Sequence, residues 1–457
     1  DEGTVELKRL IKGGCHPVDG CADGDGFDGA DFTYLSANVV NKRTKLPILA
    51  PFKIEIINGV PVGFIGMTLE GTAGIINPGS PGISEIEFQD EIVAANRWSQ
   101  LLSLFGIKAQ VLLIHEGGTQ ATTGGPSDCA SFAGPITDIT AGLRDEFGLV
   151  ISGHTHRFYS CSLPNASGRP VVVTSAGSNG TLITDVTATL DKRTRRFAAI
   201  EARNVIVENG IRLPDGTWAR DAAGNFLRNP DLVDPAAKTL SDKYRTAVAP
   251  IANRVVGRIT ADITRAGNAA GESALGDVIA DAKLAYTQAD GAQIAFMNPG
   301  GIRADLSQAF SPGGEAPGEV TYGECFTVQP FNNLVVTQTL TGAQLKDVLE
   351  QQFPGYQGQR ALRILQISAG FSYSYDTTRA LGDRVSSMAL NGVPIDPAAT
   401  YRVTSNDFLA NGGDDFSLLK GTDRTTAPGF DIDALVALLG AGAPVAPGPQ
   451  NRITKIA

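Results

Sequence analysis

The chain has 457 residues, enough for two or three domains that each bury a full core. At 42% hydrophobic and 19% charged residues the composition is that of a globular protein, and a formal net charge of −10 argues against a nucleic-acid polymer as partner. No stretch reaches the ~20 apolar residues that a transmembrane helix needs, because the run at 433–439 is broken by Gly440 and Gly442.

In chain order, Cys15 and Cys21 flank a Gly/Pro/Asp-rich segment and are spaced to close a small disulfide loop. Residues 52–57 alternate in polarity and meet Asn58-Gly59, a hairpin signal, before a second strand near 62–66. Residues 87–105 carry helical spacing, with Ile92, Val93, Trp98, Leu101, Leu102 and Phe105 on one apolar face. A buried strand at 111–114 ends at His115, and 136–147 reads as a helix. The next buried strand, 149–151, runs into Ser152-Gly153-His154-Thr155-His156, and strand patterns continue at 170–175 and 182–190. Cys129 and Cys161 each follow a histidine-bearing strand and are placed to pair at one sheet edge, which leaves Cys325 odd. Two bridges favour an extracytoplasmic protein, secreted, periplasmic or at the cell surface; five unpaired thiols is the alternative.

Residues 214–235 are rich in Asp, Gly, Asn and Pro, as in an exposed linker. Asp234-Pro235 then starts a helix that runs to about Arg254. A second α/β unit follows, with helices at 273–287, 342–352 and 431–439. Its strands fall at 293–297, 334–340, 365–375 and 401–405. The expected division is 1–232, a linker helix at 233–254, and 255–457.

The chemistry of the first unit lies in its histidines. Two imidazoles two residues apart can point to one side of an extended strand end, and His115 arrives on a neighbouring strand. Neutral imidazoles at a glycine-rich sheet edge suit a metal, whereas a lone histidine is more often structural. His115-Glu116-Gly117-Gly118, Gly153-His154-Thr155-His156 and Leu35-Ser36-Ala37-Asn38-Val39 resemble motifs of the calcineurin-like metallophosphoesterases. The whole chain resembles the secreted 5′-nucleotidase and 2′,3′-cyclic-nucleotide phosphodiesterase family. The resemblance implies an α/β layered fold, a metallophosphoesterase β-sandwich flanked by helices, followed by a separate α/β nucleotide-binding domain.

It also implies that His115, His154 and His156 are ligands in a centre of two divalent metal ions, zinc or manganese. Family members begin with D-x-H, a bridging Asp and G-N-H-E-F-D-E-G. Asp1-Glu2-Gly3 fits the tail of that last block, so Asp1 matches the Asp that orients the catalytic His. The earlier ligands and that His are then expected to precede the residues in hand. Three imidazoles without a bridging carboxylate leave two cations uncompensated, so this chain by itself is expected not to complete the centre.

The second half carries more motifs in family order. Glu272 to Ala282 resembles a helix motif, and Asn298-Pro299-Gly300-Gly301-Ile302-Arg303 a substrate loop. Gln329-Pro330-Phe331-Asn332-Asn333 and the stretch from Asn406 to Phe416 resemble two base-stacking loops. Gly300 and Gly301 let a backbone approach a ligand, and Arg303 offers a planar fork to an anion. Phe331 and Phe408 on loops are suited to stack on a base, and Asp414 to accept from ribose hydroxyls. Asn298 and Asn333 meet polar edges, and Arg265 is a weaker match for phosphate. Taken singly, a loop Phe is as often packing and an Arg a surface ion-pair partner. The implied activity is hydrolysis of nucleoside 5′-monophosphates, with 2′,3′-cyclic nucleotides or UDP-sugars as alternatives, or nucleotide binding without turnover.

Overall fold

The computed structural model describes residues 3–457 apart from 19, 22–23, 75, 77–80, 121–123 and 222–225; Asp1 lies outside the described residues. The chain divides into two compact units, one drawn mainly from residues 2–240 and the other mainly from 241–457.

In the first unit six strands form one sheet. Their spatial order is Phe52–Ile57, Val60–Thr68, Ala109–His115, Phe147–Ile151, Pro170–Ala176 and Phe158–Pro164. The four inner strands run parallel and the outermost strand on each side is antiparallel. Parallel strands covered on both faces need near-continuous apolar runs, and Val111, Leu112 and Ile114 supply one. One face packs Leu112, Val150 and Tyr159 with Leu102 and Ile136 of the helices Glu91–Leu104 and Pro135–Ala141. On the other face the antiparallel hairpin Leu182–Asp191 and Arg196–Ile206 lays Val186, Leu190, Phe197 and Ile200 against Val62, Val111 and Leu149. The layered sandwich flanked by helices is therefore present.

Several local expectations fail, and the helix expected over 136–147 spans Pro135–Ala141 before Phe147 begins a strand. The helix expected over 87–105 starts at Glu91, because Ile86–Phe88 pairs with Val39–Asn41 and the Asp90 carboxylate caps Val93 N–H at 2.7 Å. Its buried face is Ala94, Ala95, Ser99 and Leu102, while Val93 and Phe105 stay exposed. Small side chains there let the helix sit close to the sheet, which outranks burying the larger ones. Residues 214–235 are more than a linker: bridges join Gly210 to Arg228, Arg212 to Trp218 and Arg220 to Phe226. The Asp234 carboxylate then caps the helix Pro235–Ala252 through Ala237 N–H at 2.8 Å.

The second unit holds a five-stranded sheet in the order Gln366–Ile367, Ile294–Met297, Thr400–Asn406, Leu334–Thr341 and Thr422–Phe430. A four-stranded sheet adds Val393–Pro394, Val385–Leu390, Phe371–Tyr375 and Ile453–Lys455. The strand expected over 365–375 is thus two strands in different sheets, separated by Gly370 with φ 86°. Capping boxes at Thr321/Glu324 and Thr341/Gln344 start the helices Tyr322–Val328 and Gly342–Glu350. The helix Ala274–Tyr286, capped by Ser273, packs with Asp431–Leu439 over Met297.

The Glu272–Ala282 motif has a structural meaning. Glu272, fully buried, accepts from Arg452 N–H at 2.9 Å and Ile453 N–H at 3.1 Å, fixing the last strand. Arg452 forks onto Asp281 at 2.7 Å and lies 3.8 Å from Asp277. Burial pushes the Asp277 carboxyl up to about 8, Arg452 opposing and the Glu272 and Asp281 charges adding to it. A raised carboxyl binds its proton more tightly in the folded state. Its stabilisation is complete below the ordinary value of 3.8 and is lost as pH rises toward 8. Chemical denaturation between pH 4 and 9 should show stability falling by up to about 1.4 kcal/mol per pH unit from this group. Asp277→Asn should flatten that slope, and an unchanged slope would exclude Asp277 as its source.

Candidate metal centre and nucleotide site

The parallel strands bring Thr68, His115 and Ile151 to one edge, the carboxyl edge where α/β sheets bind ligands. His115 is the last residue of its strand, paired with Thr68. His154 and His156 do not extend the next strand as expected. That strand ends at Ile151, and both histidines sit in left-handed backbone, φ 64° and 56°. Gly153 N–H turns away to bond Glu116 O at 3.2 Å, and Thr155 N–H bonds back to Gly153 O at 2.7 Å. Two non-glycine residues in this region mark strain concentrated at a candidate site.

The two loops are stitched together. Thr155 Oγ1 donates to Gly118 O at 2.8 Å, Gly118 N–H donates to the Tyr159 hydroxyl at 3.2 Å, and that hydroxyl meets Ser152 Oγ at 2.6 Å. A Cβ on Gly117 would fall 2.3 Å from Gly153 O, so the close approach requires glycine. The Cys129–Cys161 disulfide closes the same region. The Cys15–Cys21 bridge is also present, and Cys325 is a buried free thiol. Asn38 completes the edge. Fully buried, it donates to Thr68 O at 2.6 Å and Gln89 O at 3.0 Å and accepts from Thr68 N–H at 3.1 Å.

As a result the His115 and His154 rings meet edge to face at 5.2 Å. Partial burial, then the His154 charge, pushes the His115 imidazole below its ordinary value and favours the neutral, metal-binding form. His156 is exposed and close enough to act on His115 electrostatically. The His115 and His154 rings fit part of the donor set of one divalent ion. They do not fit a pair of ions, which needs carboxylate bridging. Among the described residues, the metal-competent grouping of three or more is Glu70, Asp90 and Glu91, with no histidine in it.

In the second unit the sequence-derived residues converge. Asn298, 3% exposed, donates to Asp414 Oδ2 at 2.8 Å and accepts from Asn406 Nδ2 at 3.1 Å. Arg303 donates to Gly300 O at 3.3 Å and lies 5.7 Å from the centre of the exposed Phe331 ring. Arg265 reaches the same loop, donating to Ile302 O at 3.3 Å. Asn333 donates to Asp431 at 3.3 Å, and Leu334 N–H donates to Asp407 at 3.0 Å, which ties the Phe331 loop to the one that carries Phe408. Phe408 is half-buried and rests on Gly413, where a Cβ would sit 2.6 Å from its ring. Asp414 has φ 55°, is 5% exposed, and has its carboxyl pushed upward by burial, against the pull of Arg363 and Asn298.

Some contributors carried no sequence signal. Lys283 is fully buried with Nζ 2.9 Å from Met297 Sδ; burial pushes it down to about 8 and the Asp431 and Asp407 charges oppose that. Gln359, Arg360 and Arg363 all contact Asp414 or Asp415 from a segment that matches no motif.

Residues 255–421 match the family model "5'-nucleotidase, C-terminal domain". The chain is 30% identical over 410 residues to endonuclease YhcR of Bacillus subtilis, covering 90% of this chain but 29% of that protein. It spans less than a third of that relative's length. A snake venom 5′-nucleotidase of Gloydius brevicauda is 24% identical, with 93% and 70% covered. The structure of a 5′-nucleotidase precursor from Thermus thermophilus superposes with a TM-score of 0.72 at 26% identity, covering 93% of this chain and 78% of that one.

Replacing Asn38 by Ala leaves two carbonyls and one N–H unpaired at the sheet edge and should cost at least about 2 kcal/mol. Urea unfolding checks this, and a loss within about 0.5 kcal/mol, the usual range for a surface change, would contradict it. The chain is therefore similar to 5′-nucleotidases over nearly its whole length, and its residues 255–421 match the 5′-nucleotidase C-terminal domain.

Proposed function

We propose that this chain hydrolyses nucleoside 5′-monophosphates to nucleoside and phosphate, with 2′,3′-cyclic nucleotides as secondary substrates. The observation that carries this reading is that two arginines bond to the 298–303 loop, Arg265 at Ile302 O and Arg303 at Gly300 O, beside an exposed ring and a buried carboxylate. An anionic phosphate suits the arginines. A base suits Phe331 and Phe408, and ribose hydroxyls suit Asp414. Divalent-ion dependence, by zinc or manganese, enters through His115, His154 and His156. Two disulfides support a location outside the cytoplasm.

Phosphate release from AMP, 2′,3′-cyclic AMP and a UDP-sugar, with manganese or zinc added, tests the reading, and AMP should be turned over fastest. Phe331→Ala should raise KM for AMP at least about fivefold through lost stacking, with little change in kcat. Faster release from the UDP-sugar would make the chain a nucleotide-sugar hydrolase instead.

Zinc titration by calorimetry tests the assignment of the histidines. At most one equivalent should bind per chain, and His154→Ala should abolish it; two equivalents that survive the substitution would refute the assignment of these histidines.

A further inference from the structure

The short segment 359–363 grips the turn that carries Asp414 at three points. Gln359 Nε2 donates to Asp414 O at 3.0 Å, Arg360 forks onto Asp415 through Nε at 3.0 Å and Nη2 at 2.7 Å, and Arg363 Nη1 lies 3.0 Å from Asp414 Oδ1. The grip is itself anchored. Arg363 N–H donates to Gln352 O at 3.0 Å, and the buried Gln352 accepts from Leu365 N–H at 2.6 Å and the Tyr373 hydroxyl at 3.1 Å. Asp414 thus holds its left-handed backbone with Asn298 on one carboxylate oxygen and Arg363 on the other.

We propose that Arg363 is a positioning residue for nucleoside recognition: it holds the buried Asp414 side chain ionised and oriented so that its remaining lone pairs accept the ribose hydroxyls. This rests on the reading of Asp414 given above. A carboxylate this buried is unstable as an anion unless a cation is fixed beside it. Asn298 is neutral and cannot supply that charge. Other charged groups near the turn include Asp415, whose charge is met by Arg360, Lys420, whose Nζ lies 3.7 Å from the Cβ position of Gly412, and Arg424, which donates to Asn411 Oδ1 at 2.8 Å. Arg363 is the cation placed directly on Asp414. A protonated Asp414 would hold one oxygen as a hydroxyl and lose acceptor capacity toward the sugar.

The test is calorimetric binding of adenosine and of 2′,3′-dideoxyadenosine to the full chain between pH 5.5 and 8.5, for the wild type, Arg363→Gln, Arg363→Lys and Asp414→Ala. Removing the cation raises the Asp414 pKa further. Arg363→Gln should therefore weaken adenosine binding by roughly tenfold at pH 5.5 and converge on the wild type as pH rises. Arg363→Lys should restore the wild-type profile, and dideoxyadenosine should bind both Arg363 variants and the wild type alike at every pH. A loss in Arg363→Gln that is constant across pH, or equal for both ligands, overturns the proposal by making Arg363 merely structural. If Asp414→Ala binds adenosine as the wild type does, the ribose reading of Asp414 fails. If only the Arg363 variants are silent, that reading stands and the role of Arg363 falls.

Discussion

Parallel pairing is the constraint on which the first unit depends. Once Val60–Thr68, Ala109–His115, Phe147–Ile151 and Pro170–Ala176 run the same way, their carboxyl ends must lie along one edge. The loops that leave that edge are forced together. Their backbone polar groups must then be satisfied by one another, and the bonds from Gly153 to Glu116 and from Thr155 to Gly118 do this. The approach of the His115 and His154 rings follows from those bonds rather than from any attraction between two imidazoles.

The second unit meets the same demand with side-chain amides and ions. Asn298 bridges Asn406 and Asp414, and Gln366 takes Ser273 N–H and Oγ while donating to Gly271 O and Ile364 O. A buried polar group left unpaired costs more than a paired one contributes, so networks of this kind hold each loop in one conformation. The aromatic rings gain their placement from that frame.

Legibility in the sequence followed the physics. Periodicity and turn chemistry located the strands around His115, the Asp234 cap and the helix Asp431–Leu439, because these are local. The motif residues from Asn298 to Asp414 were legible through family resemblance, and the fold bonds Asn298 to Asp414 and carries Arg303 on the loop that Asn298 begins. The break at Gly370 and the early strand Ile86–Phe88 were hidden, since both are decided by partners distant in sequence. The same holds for Lys283, which lies on a helix that reads as ordinary and is revealed only by its burial. Arg363 was invisible for a related reason, as nothing local distinguishes it from a surface arginine.

The left-handed backbone at His154 and His156 has an evolutionary consequence. Few side chains tolerate that region, with Gly, Asn, Asp and His the most readily accommodated. Drift at these two positions is therefore channelled toward small or polar amino acids, and β-branched replacements are filtered out by the main chain before any chemistry is selected. The repertoire of metal-binding variants available to descendants of this chain is set by a turn as much as by the ion.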